Sequence, residues 1–84
     1  MSVFLNFKCS DAAVIRVEYP GQSNPIDPGS VSFNGQTVLL RRIAAEVWEA
    51  QDPTIPLRLS RTSAVLVVLE DGRVTHDECL ALLL

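Results

Sequence analysis

The chain has 84 residues, of which 48% are hydrophobic and 20% are charged, and its formal net charge at pH 7 is −3. This length fits one domain, residues 1–84, with a thin core, and it excludes a multidomain enzyme. The apolar content excludes a disordered chain, and the excess of acidic residues argues against nucleic acid as a partner.

The first third of the chain has the apolar period of β-strands. Apolar side chains recur at every second position in residues 3–9 and 15–19, which is the period of a half-buried strand. Residues 10–12 can turn the chain, so a hairpin is predicted. A loop at residues 20–30 holds three prolines and two glycines, and a short strand at residues 31–33 follows it.

Residues 37–51 predict a long amphipathic helix, because the apolar period changes to about 3.6. Asn34 or Thr37 can serve as the N-cap, and Pro53 ends the helix. At 100° per residue, one face of this helix carries Leu39, Leu40, Ile43, Ala44, Val47 and Ala50.

The last third predicts two strands and a short helix. Residues 57–60 alternate as in a half-buried strand, and residues 64–69 are apolar at every position, which is typical of a central strand covered on both faces. Residues 70–73 carry a hairpin turn signal. Thr75 and Glu78 form a capping box, which predicts a short helix that runs to the C-terminus.

These elements predict an α+β fold in a single domain. An antiparallel or mixed sheet of about four or five strands would carry the long helix on one face, with a short C-terminal helix beside it. The central strand would then bury Val65, Val67 and Leu69 fully against Leu40, Ile43 and Val47 of the helix.

Two stretches resemble known families. Residues 28–59, with Asn34-Gly35 before the predicted helix and Pro56-Leu57-Arg58-Leu59 after it, resemble the periplasmic domain of the ExbD/TolR stator proteins. That resemblance implies a homodimeric stator or scaffold domain. Residues 1–7 and 69–73 look like their counterparts in ubiquitin, which implies a sheet with a helix across it.

The N-terminal residues and the cysteines bear on the compartment. Residues 1–9 lack the charge and the apolar run of a secretory signal, and the longest apolar runs are too short to span a bilayer. We therefore expect a cytoplasmic protein with no membrane contact. Cys9 and Cys79 are then expected to be reduced, largely buried thiols, with a disulfide that closes a loop of about 70 residues as the alternative.

Chemically reactive residue types cluster only at residues 76–79. His76 and Cys79 would lie on one helix face and could share a metal, but a structural zinc site needs four ligands and only Cys9 and a carboxylate remain. We therefore expect no catalytic residue, no cofactor and no metal. A minimal metal or thiol site at His76 and Cys79 is the alternative.

The edge of the predicted helix offers a binding surface. Trp48 lies there on the same side as Arg41, and these residue types are the most enriched in interface hot spots. The predicted partner-binding residues, two of them from the long loop, are Arg41, Ala45, Trp48, Glu49, Asn24 and Asp27.

The sequence therefore predicts a small non-enzymatic module that binds a protein partner by occupying its surface, with a homodimer as an alternative assembly. In size and character it resembles small phage or mobile-element inhibitors of host defence complexes, of the anti-CRISPR type.

Overall fold

The computed structural model describes residues 3–20, 28–62 and 65–82. These residues form a closed barrel of eight strands, each antiparallel to the next, and β8 returns to pair with β1. The strands are β1 (Val3–Lys8), β2 (Val14–Tyr19), β3 (Ser30–Phe33), β4 (Gln36–Ala44), β5 (Val47–Ala50), β6 (Leu57–Thr62), β7 (Val65–Glu70) and β8 (Arg73–Ala81).

The described residues contain no helix, so the predicted α+β fold is wrong. In these same three stretches there is accordingly no helix that is long and apolar enough to cross a membrane.

Side chains fill the inside of the barrel. A barrel of eight strands leaves an interior just wide enough for side chains to occupy. Trp48, Tyr19, Ile15 and Leu59 are the largest of the fully buried residues and form one cluster with the other inward-facing side chains. The core is therefore the barrel interior, and the described residues form no second layer outside it.

The predicted first hairpin is confirmed. Strands β1 and β2 pair antiparallel from Val3↔Tyr19 to Lys8↔Val14, across a turn that begins at Ser10. The strand predicted at residues 31–33 is also present as β3. Much of the predicted loop at residues 20–30 falls on residues 21–27, which lie outside the described residues.

The long helix predicted at residues 37–51 is wrong, because this segment forms β4 and β5. Asn34 and Gly35 both have positive φ, 52° and 75°, and Phe33 pairs with Gln36 across them. This is the two-residue loop that favours a hairpin, so the chain returns as a strand instead of starting a helix. A second turn with Glu46 at φ 62° then leads into β5.

The short C-terminal helix is also wrong. The turn predicted at residues 70–73 is present, with Glu70 paired to Arg73, but residues 73–81 continue as β8. On β7, Leu66 and Val68 are the buried residues, at 1% and 0% exposure. Val65, Val67 and Leu69 are only half-buried on the outer face, because no helix in the described part of the chain covers it. Their predicted full burial is therefore wrong.

Candidate functional site

The residues predicted to bind a partner are separated by the barrel wall. Arg41 on β4 and Glu49 on β5 are directly opposite each other and face outward, and Ala45 is exposed in the turn between these strands. Trp48 instead faces the interior and is only 1% exposed. Its side chain therefore cannot contact a partner that binds to the outside of the folded barrel. Predicted residues Asn24 and Asp27 lie outside the described residues.

Three charged side chains form a row across the outer face of β4, β5 and β6, which we call the charged row: Arg41, Glu49 and Arg58. Nη2 of Arg41 lies 2.6 Å from Oε1 of Glu49, and Nε of Arg41 donates to the same oxygen at 3.0 Å. Nη2 of Arg58 lies 3.9 Å from the other carboxylate oxygen. The Arg41 and Arg58 side chains remain 63% and 57% exposed, so both guanidinium groups can still reach a ligand.

A groove of about 570 Å³ lies beside the charged row. It runs between the β5–β6 loop, residues 51–56, and the β7–β8 turn at Asp71-Gly72. Besides the charged row, its lining includes two carboxylates, those of Asp52 and Asp71, and a set of apolar residues: Pro53, Ile55, Pro56, Leu57 and Leu69. The groove therefore offers both charged donors and an apolar surface.

Hydrogen bonds fix the loop that forms one wall of the groove. The hydroxyl and the backbone N–H of Thr54 both donate to Oδ1 of Asp52, at 2.7 and 2.9 Å. These two bonds hold the pKa of Asp52 below its usual value. The Asp71 N–H donates to the Pro56 carbonyl at 2.8 Å, which ties the loop to the β7–β8 turn.

A second cluster lies where β8 closes on β1, and we call it the seam. Cys9 and Cys79 form a disulfide here, and both residues are buried. The expectation of two free thiols is therefore wrong, and the alternative, a bond that closes a loop of about 70 residues, is what the structure has. Because Cys9 follows β1 and Cys79 lies in β8, this bond joins the first strand of the barrel to the last.

Polar side chains also cross the seam. Nδ1 of His76 lies 2.7 Å from Oδ2 of Asp11, and the Ser10 hydroxyl donates to Oδ1 of Asp77 at 2.8 Å. The backbone N–H of Ala13 donates to the Asp11 carboxylate at 3.1 Å. That bond is the main reason that the pKa of Asp11 lies below its usual value; desolvation opposes it, and the hydrogen bond and charge of His76 add to it.

The seam brings together the types of side chain that bind metals. Sγ of Cys9, a carboxylate oxygen of Asp11 and a ring nitrogen of His76 all lie within 4.8 Å of one another. Sequence reasoning expected too few ligands to converge because it placed His76 on a helix and assigned Asp11 only to a turn, not to the carboxylate of the site. Asp11 becomes a neighbour of His76 only through the closure of β8 on β1.

The groove was also missed by sequence reasoning. Its charged row needs the strand register that places Glu49 opposite both Arg41 and Arg58. The only local signal was the Asp52-Pro53-Thr54 stretch, in which an aspartate can accept bonds from its own backbone two residues further on.

Comparisons with protein-family models, with curated proteins and with solved structures gave no match for this chain.

Proposed function

We propose that this chain is a small non-enzymatic protein-binding module that acts by occupying a partner's surface, and that the groove beside the charged row is where the partner binds. The observation that carries this proposal is the groove itself, which combines two half-exposed arginines with an apolar lining on the outer wall of the barrel. An inhibitor that occludes a host complex would be one form of such a module.

The architecture directs binding to side chains on the outer face. Trp48, Tyr19 and Leu59 fill the barrel interior, which leaves little room for a small molecule there. The described strands close into a barrel in which every strand has a neighbour on each side. Binding by addition of a partner strand is therefore disfavoured everywhere except beside residues 3–5 of β1, which have no β8 partner among the described residues.

The groove has the composition of an interface hot spot. Arginine is among the residues that contribute most to interfaces, above all where it flanks a desolvated apolar surface. Glu49 holds Arg41 through two hydrogen bonds, which limits the side-chain entropy that binding would cost. Ile55 is 38% exposed at the groove although it is a large apolar residue, so contact with a partner would remove apolar surface from water.

The lining indicates the chemistry of the partner. Arg41 and Arg58 share a single carboxylate, that of Glu49, and each guanidinium has more donors than this one contact uses. A complementary partner would be a protein segment that places a carboxylate against Arg41 and Arg58. The same segment would place an apolar side chain against Ile55 and Leu69.

The test is affinity capture from a lysate of the source cell with the full chain as bait. The doubly substituted variant Arg41→Glu plus Arg58→Glu replaces both guanidinium groups of the charged row with carboxylates and so reverses their charge. This variant should no longer capture the proteins that the parent captures, because a carboxylate of the partner would now face a like charge.

A matched control changes the same amount of charge elsewhere. Lys8 and Arg16 are exposed on β1 and β2, and the variant Lys8→Glu plus Arg16→Glu should capture the same proteins as the parent. Thermal melts establish that both variants are folded. Equal capture by the folded groove variant and the parent would contradict the proposal.

A further inference from the structure

We propose that reduction of the disulfide converts the seam into a zinc site whose ligands are Cys9, Cys79, Asp11 and His76. The site is separate from the groove, which belongs to β4–β7 and the loops beside them. The two proposals can therefore fail independently.

The ligand set is the first argument. Two thiolates, one imidazole and one carboxylate are all ordinary zinc ligands, and structural zinc sites take four in a tetrahedron. Three of the donor atoms already lie within 4.8 Å of one another. The fourth, Sγ of Cys79, is bonded to Sγ of Cys9, so reduction would free it next to Cys9, and it would have to turn toward Asp11 and His76 to complete the set.

The distances are the second argument. With zinc bonds of about 2.3 Å to sulfur and about 2.0 Å to nitrogen or oxygen, the donor atoms of a tetrahedral site stand roughly 3.3 to 3.7 Å apart. His76 Nδ1 and Asp11 Oδ2, now at 2.7 Å, would have to separate by roughly half an ångström. The two sulfurs would have to separate more, by rotation of the cysteine side chains, because hydrogen bonds with Ala12 and Ala13 hold the backbone of Cys9.

The surroundings position the ligands. The ring of Phe33 contacts the His76 ring edge to face, with centroids 5.8 Å apart, and the N–H of Ala13 holds one oxygen of Asp11. That bond leaves Oδ2, the oxygen nearest His76, available for a metal. Such outer contacts orient metal ligands and raise their affinity.

The chemistry balances without further cofactors. A dithiol reductant supplies two electrons and two protons to the disulfide and itself becomes a disulfide. Zinc then binds the two cysteines as thiolates and displaces those two protons to solvent. Thiolate ligands favour zinc over magnesium or calcium. The seam would thus be closed by a covalent bond in the oxidised chain and by a metal in the reduced chain.

The test is a titration of the reduced full chain with Co²⁺ under anaerobic conditions, followed by Zn²⁺. One Co²⁺ per chain should bind, with the absorption of a thiolate-to-cobalt transition and of tetrahedral cobalt, and Zn²⁺ should displace it. The oxidised chain should show neither absorption. Absence of uptake by the reduced chain, or equal uptake by the oxidised chain, would overturn the proposal.

The variants separate ligands from neighbours. Loss of a mere outer partner lowers metal affinity by about 10- to 100-fold, so loss of a ligand in Asp11→Asn should lower Zn²⁺ affinity by more than about 100-fold while the thiolate absorption remains. Asp71→Asn, at an exposed turn on another part of the barrel, should keep the parent affinity. Equal affinities of these two variants would overturn the assignment of Asp11.

If the reduced chain without metal is unfolded, thermal unfolding with and without Zn²⁺ is the measurement that tests the proposal. Addition of one equivalent of Zn²⁺ should restore a cooperative thermal transition to the reduced parent but not to the variant Cys9→Ser plus Cys79→Ser. Failure of zinc to restore the transition in the parent would overturn the proposal.

Discussion

The two edges of β1 differ in how much of the strand is paired. One edge pairs with β2 along its whole length, from Val3 to Lys8. On the other edge, the described ladder with β8 contains only Phe7↔Ala81 and Lys8↔Leu80. Single backbone bonds extend this second edge, from the Ser10 N–H to Asp77 and from the Leu82 N–H to Asn6. Side chains supply the other interactions described there, which are the disulfide and the polar pairs of the seam.

The difference follows from sequence separation. A short turn joins β1 to β2, so their pairing fixes few additional residues and is inexpensive in chain entropy. The seam joins residues that are 70 positions apart, and the entropy lost on closing a loop grows with its length. A covalent bond between the ends of that loop removes much of this cost from folding, because it also restricts the unfolded chain.

The largest expected effect is that of breaking the disulfide. Reduction in the presence of a chelator, or the variant Cys9→Ser plus Cys79→Ser, should lower the free energy of unfolding by about 4 kcal/mol, the value expected for a loop of about 70 residues. Urea unfolding measures this loss. Reductant should have no effect on the double variant, and a loss of under about 1 kcal/mol would show that the seam does not depend on the bond.

The hairpin should instead depend on its buried face. Ile15 on β2 is fully buried opposite Phe7, so Ile15→Ala should lower the free energy of unfolding by about 3 kcal/mol. Its neighbour Val14 is 52% exposed, and Val14→Ala should cost under about 0.5 kcal/mol. Similar losses for the two variants in urea unfolding would mean that the inward and outward faces are wrongly assigned.

Tyr19, at the end of the hairpin farthest from its turn, should make the free energy of unfolding of the barrel fall at high pH. Burial raises the pKa of Tyr19, partly opposed by the nearby Arg61. As pH rises past about 10 the unfolded chain ionises first, so stability is unaffected by this group below that pH and is lost above it, by up to about 1.4 kcal/mol per pH unit.

Absorbance of the single tyrosinate, followed together with unfolding, measures this effect. Tyr19→Phe should remove that part of the alkaline loss. An equally steep fall in the phenylalanine variant would assign the loss to other groups.

The smallest of these effects concerns the Asn34-Gly35 turn, after which the chain continues as β4 and not as the predicted helix. Gly35 has a φ of 75° and an added Cβ would meet nothing within 4 Å, so Gly35→Ala should cost about 1 kcal/mol through backbone strain alone. The adjacent exposed residue gives the control, since Gln36→Ala should change the melting temperature little. An equal and small change for both variants would show that this turn does not require positive φ.

Sequence reasoning succeeded where contacts are local. It predicted β1, β2, the turn between them and the turn at Asp71-Gly72, since each depends on alternation or on turn residues that are adjacent in the chain. It failed at residues 37–51 because Leu39 and Ile43 are apolar but exposed, at 60% and 41%. Added to the buried Leu40, they imitate the apolar stripe of a helix.

The candidate sites depend on contacts that no local pattern contains. The charged row requires the register of three strands, and the pairing of Asp11 with His76 requires the barrel to close. The Asn34-Gly35 pair was the signal that could have corrected the fold, because it favours a hairpin more strongly than it favours a helix N-cap.

The most direct test of the seam is amide hydrogen exchange, measured by NMR on the oxidised and the reduced chain in the presence of a chelator. The amides of Ser10 and Leu82, which bond across the seam, should lose protection on reduction, whereas amides in the β1–β2 ladder should keep more of theirs. Equal protection of Ser10 and Leu82 in both states, or a uniform loss over the whole barrel, would contradict the account of a closure held mainly by side chains.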